Sequence, residues 1–184
     1  MRDMLKKLQH FRRSEGGVAA VEFALILPVM LLVYIGANEA SALISMDRRI
    51  DSAAATLGDL VSQSKEAISS DELTNYFRAA DGIMQPFGTA ADSLVQIVSL
   101  VYVDNNDRAS VRWSQKNDGS AGHERNATLA LPAEITNIAR DNYVIVSEAQ
   151  YDYLPLLGIV FNQPISLYSE TFYLPRFGTE IALN

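Results

Sequence analysis

Two glycines and a lone carboxylate mark the stretch Gly16-Gly17-Val18-Ala19-Ala20-Val21-Glu22-Phe23, the head of a run that is otherwise apolar as far as Ala37. Glycine backbone is permissive enough to enter a protease cleft, so the pair reads either as a cleavable link or as a simple flexible joint. Val18 and Glu22 are four residues apart, which puts them on one helical face, one turn from each other. A carboxylate inside lipid is expensive unless something offsets its charge. Glu22 therefore either sits at headgroup depth, hydrated or paired with Arg12 or Arg13, or meets a cation at low dielectric. Pro28, within the same run, removes one backbone hydrogen bond and favours a local kink, a perturbation that membrane helices tolerate when neighbouring groups compensate.

Residues suited to catalysis are scarce elsewhere. The chain has no cysteine, which excludes disulfides, thiolate metal sites and a cysteine nucleophile. Its two histidines are His10, near the N-terminus, and His123, in a polar stretch, and no G-x-S-x-G or S-x-x-K motif accompanies the serines. Asp71 and Glu72 read as helix-start charges. Asp104, Asp107 and Asp118 lack the spacing of a calcium loop and read as solvated turns. The sequence thus predicts no catalytic residue, no metal and no cofactor.

The glycine–glutamate segment must be held by its surroundings. Residues 1–17 carry a net charge of +3 and the rest of the chain −10. From Val18 to Ala37 there are 20 residues and one charge, about 30 Å of helix, which matches the hydrocarbon core of a bilayer. A basic head before this run and an acidic body after it predict a single inner-membrane span with the N-terminus inside. Asn38 and Glu39 then fall at the outer boundary, where hydration would end the burial. Membrane lipid is the first predicted partner, and the acidic body gives no support to nucleic-acid binding. A second reading stays open: a basic region, an apolar core and Ala40-Ser41-Ala42 also fit a secretory signal, whose removal would leave a soluble chain starting near Leu43.

The helical pattern continues beyond Ala42, with Leu43, Ile50, Leu57 and Ser64 seven apart and Met46 or Asp47, Ala53 or Ala54, and Val61 between them. The expected organisation is a basic head over 1–17, a membrane helix over 18–39, an amphipathic continuation over 40–68 and an outside domain over 69–184. Ser69 as N-cap with Glu72 predicts a second helix whose inner face is Leu73, Phe77, Ala80 and Met84, stopped at Pro86 and Gly88. Period two then predicts a hairpin of strands 95–103 and 108–114, with Ala109, Val111 and Trp113 facing inward. A short helix over 131–140 and strands over 143–153 and 167–174 follow, with Tyr168, Phe172 and Leu174 inward and Glu170 marking a partly wet face. The apolar segment 154–161 is expected to pack on the core, approach the membrane or contact another subunit. The fold class is α+β: a long N-terminal membrane helix continuing into a domain with helices and an antiparallel sheet.

The basic leader, Gly16-Gly17-Val18-Ala19-Ala20-Val21-Glu22-Phe23-Ala24 and the following Leu25-Ile26-Leu27-Pro28-Val29 together resemble the processing site and EFAL-x-x-P signature of the TadE-like proteins. These are minor pilins or pseudopilins of tight-adherence (Flp-type, type IVc) pilus systems. The resemblance covers residues 12–40. It implies a cut between Gly17 and Val18 by a membrane prepilin peptidase, leaving Glu22 and Phe23 as the fifth and sixth residues of the mature chain. It also implies an assembly role for Glu22 and Pro28, a pilin-like fold, a periplasmic domain and no enzymatic activity. The implied partners are the prepilin peptidase, other major or minor pilins and the inner-membrane pilus assembly platform, and the implied destination is a cell-surface pilus. A membrane-anchored envelope sensor or interaction domain remains the alternative on the residues alone.

Overall fold

The structure is a computed structural model that describes residues 15–85, 94–155, 158 and 162–184, with side chains from Gly17 onward. It divides into two compact units, one of Met1–Ala42 with Pro155–Gln163 and the other of Leu43–Leu154 with Pro164–Asn184. The first element, α1, is a single α-helix over Glu15–Ser62 with Pro28 inside it.

In the second unit the predicted face of α1 is the buried one. Met46, Ile50, Ala53, Ala54, Leu57 and Val61 are all at most 3% exposed. The helix ends at Ser62, short of the expected continuation to 68. There Gln63 and Ser64 donate their amides to carbonyls three residues back, at Leu60 and Val61, and so tighten the last turn. Ser64 remains buried although it has left the helix.

A two-residue strand, β1 (Ala67–Ile68), leads to helix α2 (Ser70–Ile83). Ser69 caps α2 as the sequence predicts: its backbone is extended and its hydroxyl accepts the Glu72 amide at 3.2 Å. At the other end of α2, Arg49 of α1 donates to the carbonyls of Ile83 and Gln85 at 2.8 and 2.9 Å. The expected stop at Pro86 and Gly88 lies outside the described residues.

The remaining elements are β2 (Leu94–Val103), β3 (Ala109–Lys116), α3 (Ala133–Ile138), β4 (Asn142–Tyr153), β5 (Ile165–Tyr173) and β6 (Ala182–Leu183). A four-stranded sheet has the order β3-β2-β4-β5, antiparallel throughout. The short β1 and β6 pair in parallel, with Ala67 opposite Ala182 and Ile68 opposite Leu183. No periodicity announces strands of two residues.

Both faces of the sheet are covered. On one, α1 and α2 pack Leu57, Val61, Leu73 and Phe77 against Val98, Leu100 and Ile145, while Met46 and Ile50 meet Leu94, Ala149 and Tyr153. On the other, Val101, Val103, Val111, Val144 and Val146 lie beneath Ile135 and Ala139 at α3 and Leu129 and Leu131 before it. Apolar burial of this kind stabilises by about 25 cal/mol for each Å² removed from water, and it explains the near-continuous apolar runs of β2 and β4.

The inner face predicted for β3 needs correction. Leu100 pairs with Trp113 and Val101 with Val111, so Arg112 is one extra residue on β3. This bulge reverses the side-chain parity. Ala109 and Val111 join the α3 side, while Trp113 joins the α1 side and donates its indole N–H to the Ile181 carbonyl at 2.6 Å. Arg112, pushed out of the ladder, stacks its guanidinium 4.8 Å from the centre of the Tyr102 ring.

On β5 the predicted inner trio separates as well. Phe172 packs on the α3 side, whereas Tyr168 and Leu174 are exposed and Leu174 lies past the strand's end. Glu170 is half-buried, in keeping with the partly wet face expected there.

Candidate functional site

Every residue from Gly17 to Tyr34 is exposed, although almost all are apolar. Val18 and Phe23 each show about 60% of their surface, and Leu25 shows 71%. An 18-residue window in this part of α1 reaches a mean hydropathy of 2.5 with none of it buried. A soluble protein rarely leaves so large a contiguous apolar surface in water, and the helix is long enough to cross a bilayer. Helical geometry makes Val18 and Glu22 neighbours on one face, one turn apart.

Gly17 is itself helical and a side chain there would meet nothing within 4 Å. Glycine weakens a helix by about 1 kcal/mol relative to alanine. Neither packing nor backbone conformation gives a reason for glycine at this position. Pro28 is accommodated without ending the helix, inside the exposed stretch.

At the far end, Asn38 is exposed and donates its amide to the Tyr34 carbonyl at 2.8 Å. Glu39 departs from expectation: it is 5% exposed and engaged with a partner, so it does not end the burial by hydration. A buried carboxylate requires such compensation. Its neighbours in sequence carry no sign of this, because a boundary carboxylate looks the same whether it hydrates or is covered. Of the apolar segment 154–161, Leu154 is exposed and Pro155 buried, while residues 156, 157 and 159–161 lie outside the described residues.

A second polar constellation, missed in the sequence, lies on the α3 side of the sheet. His123 Nε2 is 2.5 Å from Glu148 Oε2, and the Tyr168 hydroxyl donates to Glu148 Oε1 at 2.8 Å. Glu170 stands directly opposite Glu148 in the β4–β5 ladder. Burial, reinforced by the Glu148 charge and opposed by His123, raises the Glu170 carboxyl above its ordinary range. Burial and then the bond to Glu148 raise the Tyr168 phenol. The available signal was parity, since Glu148 shares a strand face with core residues Val144 and Val146, and Glu170 shares one with Phe172.

The aspartates weighed as calcium ligands are committed elsewhere. Asp104 accepts the Asn106 and Arg108 amides at 2.8 and 2.9 Å, and Asp107 forms an ion pair with Arg140. Asp118 accepts from Ser120, and this interaction lowers its carboxyl. Among the described residues no group of three or more His, Asp or Glu side chains is arranged to hold a metal ion.

The class defined by this arrangement is a chain that has, among its described residues, one exposed, membrane-length apolar helix and an α+β unit built on an antiparallel sheet. A sequence-family model described as TadE-like protein matches residues 17–57, under a quarter of the chain. No curated protein and no solved structure matches.

Proposed function

We propose that this chain is a minor pilin or pseudopilin of the TadE-like family, which takes part in assembly of a tight-adherence type IV pilus after a prepilin peptidase removes residues 1–17. The observation that carries the reading is a coincidence at one residue. The TadE-like match begins at Gly17, the head of the apolar run, where the fold gives no reason for a glycine and from which the described residues stay exposed as far as Tyr34.

In this reading the basic head stays in the cytoplasm, Val18 to Ala37 spans the inner membrane and the acidic domain lies in the periplasm. Hydrolysis of the Gly17–Val18 bond creates an ammonium group on Val18, one turn from the Glu22 carboxylate. At low dielectric the two charges compensate each other within one subunit or across a contact with a neighbouring pilin. The mature helix then packs beside other pilins through the apolar surface that includes Phe23 and Pro28, next to the assembly platform. The chain is a substrate of the peptidase and contributes no hydrolytic group.

The secretory reading is less well supported. Ala40, Ser41 and Ala42 lie inside α1, and the family match runs across them to residue 57. Co-expression with the cognate prepilin peptidase, followed by determination of the mature N-terminus, tests the proposal: Val18 is expected, and Leu43 would overturn it.

A further inference from the structure

The stretch 117–129 folds back along β3 as a strap. Gly122 and Asn126 donate their amides to the Ser114 and Val111 carbonyls at 3.3 and 2.8 Å, Leu129 donates to Ala109 at 3.1 Å, and Val111 donates to Ala127 at 3.0 Å. β3 is an end strand of its sheet, so these bonds cover backbone groups that an open edge would present to other chains.

The strap is pressed tightly against the sheet near its middle. A Cβ on Gly122 would fall 2.2 Å from Ser114 Oγ and 2.6 Å from Ile97 Cγ2, and the His123 amide donates to Ser114 Oγ at 2.9 Å. The next contact is ionic: the His123 ring meets Glu148, whose side chain is 11% exposed.

The charged and titratable groups facing this contact are few. Tyr168 and Glu170 approach Glu148 from β5, β2 offers neutral Ile97 and Ser99, and β3 offers Ser114 and, in the same cross-strand row beyond Ile97, the cation Lys116, while Glu124 and Arg125 follow His123 on the strap itself. Among the described residues, no lysine or arginine pairs with Glu148 or Glu170.

We propose that His123 is a proton-dependent latch: as imidazolium it pins the strap 117–129 over the β3 edge through Glu148, and on losing its proton it lets the strap open. Imidazoles change charge between about pH 5 and 8, and two adjacent carboxylates resist joint ionisation. Raising the pH removes the cation while completing the Glu148–Glu170 negative pair, so both changes favour opening. Burial first, and the Glu148 charge second, raise the Glu170 carboxyl. The strap is therefore held better on the acidic side of neutrality than on the basic side. This inference rests on the domain's own geometry and stands apart from the pilus reading.

The test is amide hydrogen exchange on the full chain in detergent micelles, at about pH 5.5 and about pH 8, corrected for intrinsic exchange. Amides over 120–127 should lose about tenfold in protection at the higher pH, the equivalent of one pKa unit. In His123→Gln, which keeps a donor without the charge, protection should already be low at the acidic pH and barely change. In Glu170→Gln the loss at higher pH should shrink. An unchanged wild type, or a His123→Gln variant that loses protection as the wild type does, overturns the latch. Should His123→Gln fail to fold, an undiminished loss in Glu170→Gln overturns it instead.

Discussion

Glu148 on β4 and Glu170 on β5 are direct cross-strand partners, and the imidazole of His123 contacts the first of them. Like charges placed opposite each other in a ladder destabilise it. Because the folded-state carboxyl of Glu170 is raised, its cost to stability is absent below the ordinary carboxyl value of 4.5 and grows as pH rises through the raised value. Glu170→Gln should therefore raise the melting temperature at neutral pH, with a gain below about 1 kcal/mol after solvent screening. The gain should vanish in acid, and a pH series of thermal melts on both chains checks it.

Gly58 sits where α1 meets the sheet. A Cβ there would lie 2.6 Å from a Tyr173 ring carbon and 3.3 Å from Ser147 Cβ. Alanine would gain about 1 kcal/mol of helix propensity and lose about 1–3 kcal/mol to overpacking. Gly58→Ala should destabilise the domain by up to about 2 kcal/mol in denaturant unfolding. Adding Tyr173→Leu should recover part of that loss, and no recovery would argue against the clash.

The Ser69 cap gives a simpler expectation. Ser69→Ala removes the acceptor for the Glu72 amide and should cost about 1 kcal/mol. Ser69→Asp should retain most of the stability. Chemical denaturation of the three chains distinguishes a working cap from an incidental contact.

These sites differ in how visible they are in the sequence. The buried face of α1 from Met46 to Val61, the Ser69 cap and the β2–β3 hairpin follow from local periodicity and capping chemistry, which act over a few residues. The bulge at Arg112 was hidden because alternation along one strand says nothing about an extra residue opposite its partner. It redirected Trp113 while leaving Val111 in place. His123 lay in a polar stretch without a local pattern, and only the return of the strap along β3 brings it to Glu148. Glu22 stands out in the sequence because a single charge in an apolar run is an anomaly without any structure, and its proposed role rests on that and on the experiments below. The burial of Glu39, at the edge of that run, was not.

For Glu22 itself, assembly and processing make separable expectations. Glu22→Ala should be cut as the wild type is but enter pili at a level at least tenfold lower, the equivalent of about 1.4 kcal/mol of lost interaction. Immunoblots of sheared pili against total membranes provide the measure. Normal incorporation would remove the assembly role and leave cleavage intact.

The proposed cleavage is tested most directly by the intact mass and N-terminal sequence of the chain recovered from cells that co-express the prepilin peptidase. A product that begins at Val18, absent when an inactive peptidase is supplied, is the predicted result. A chain that begins near Leu43, or one that keeps residues 1–17 in the presence of active peptidase, would contradict it.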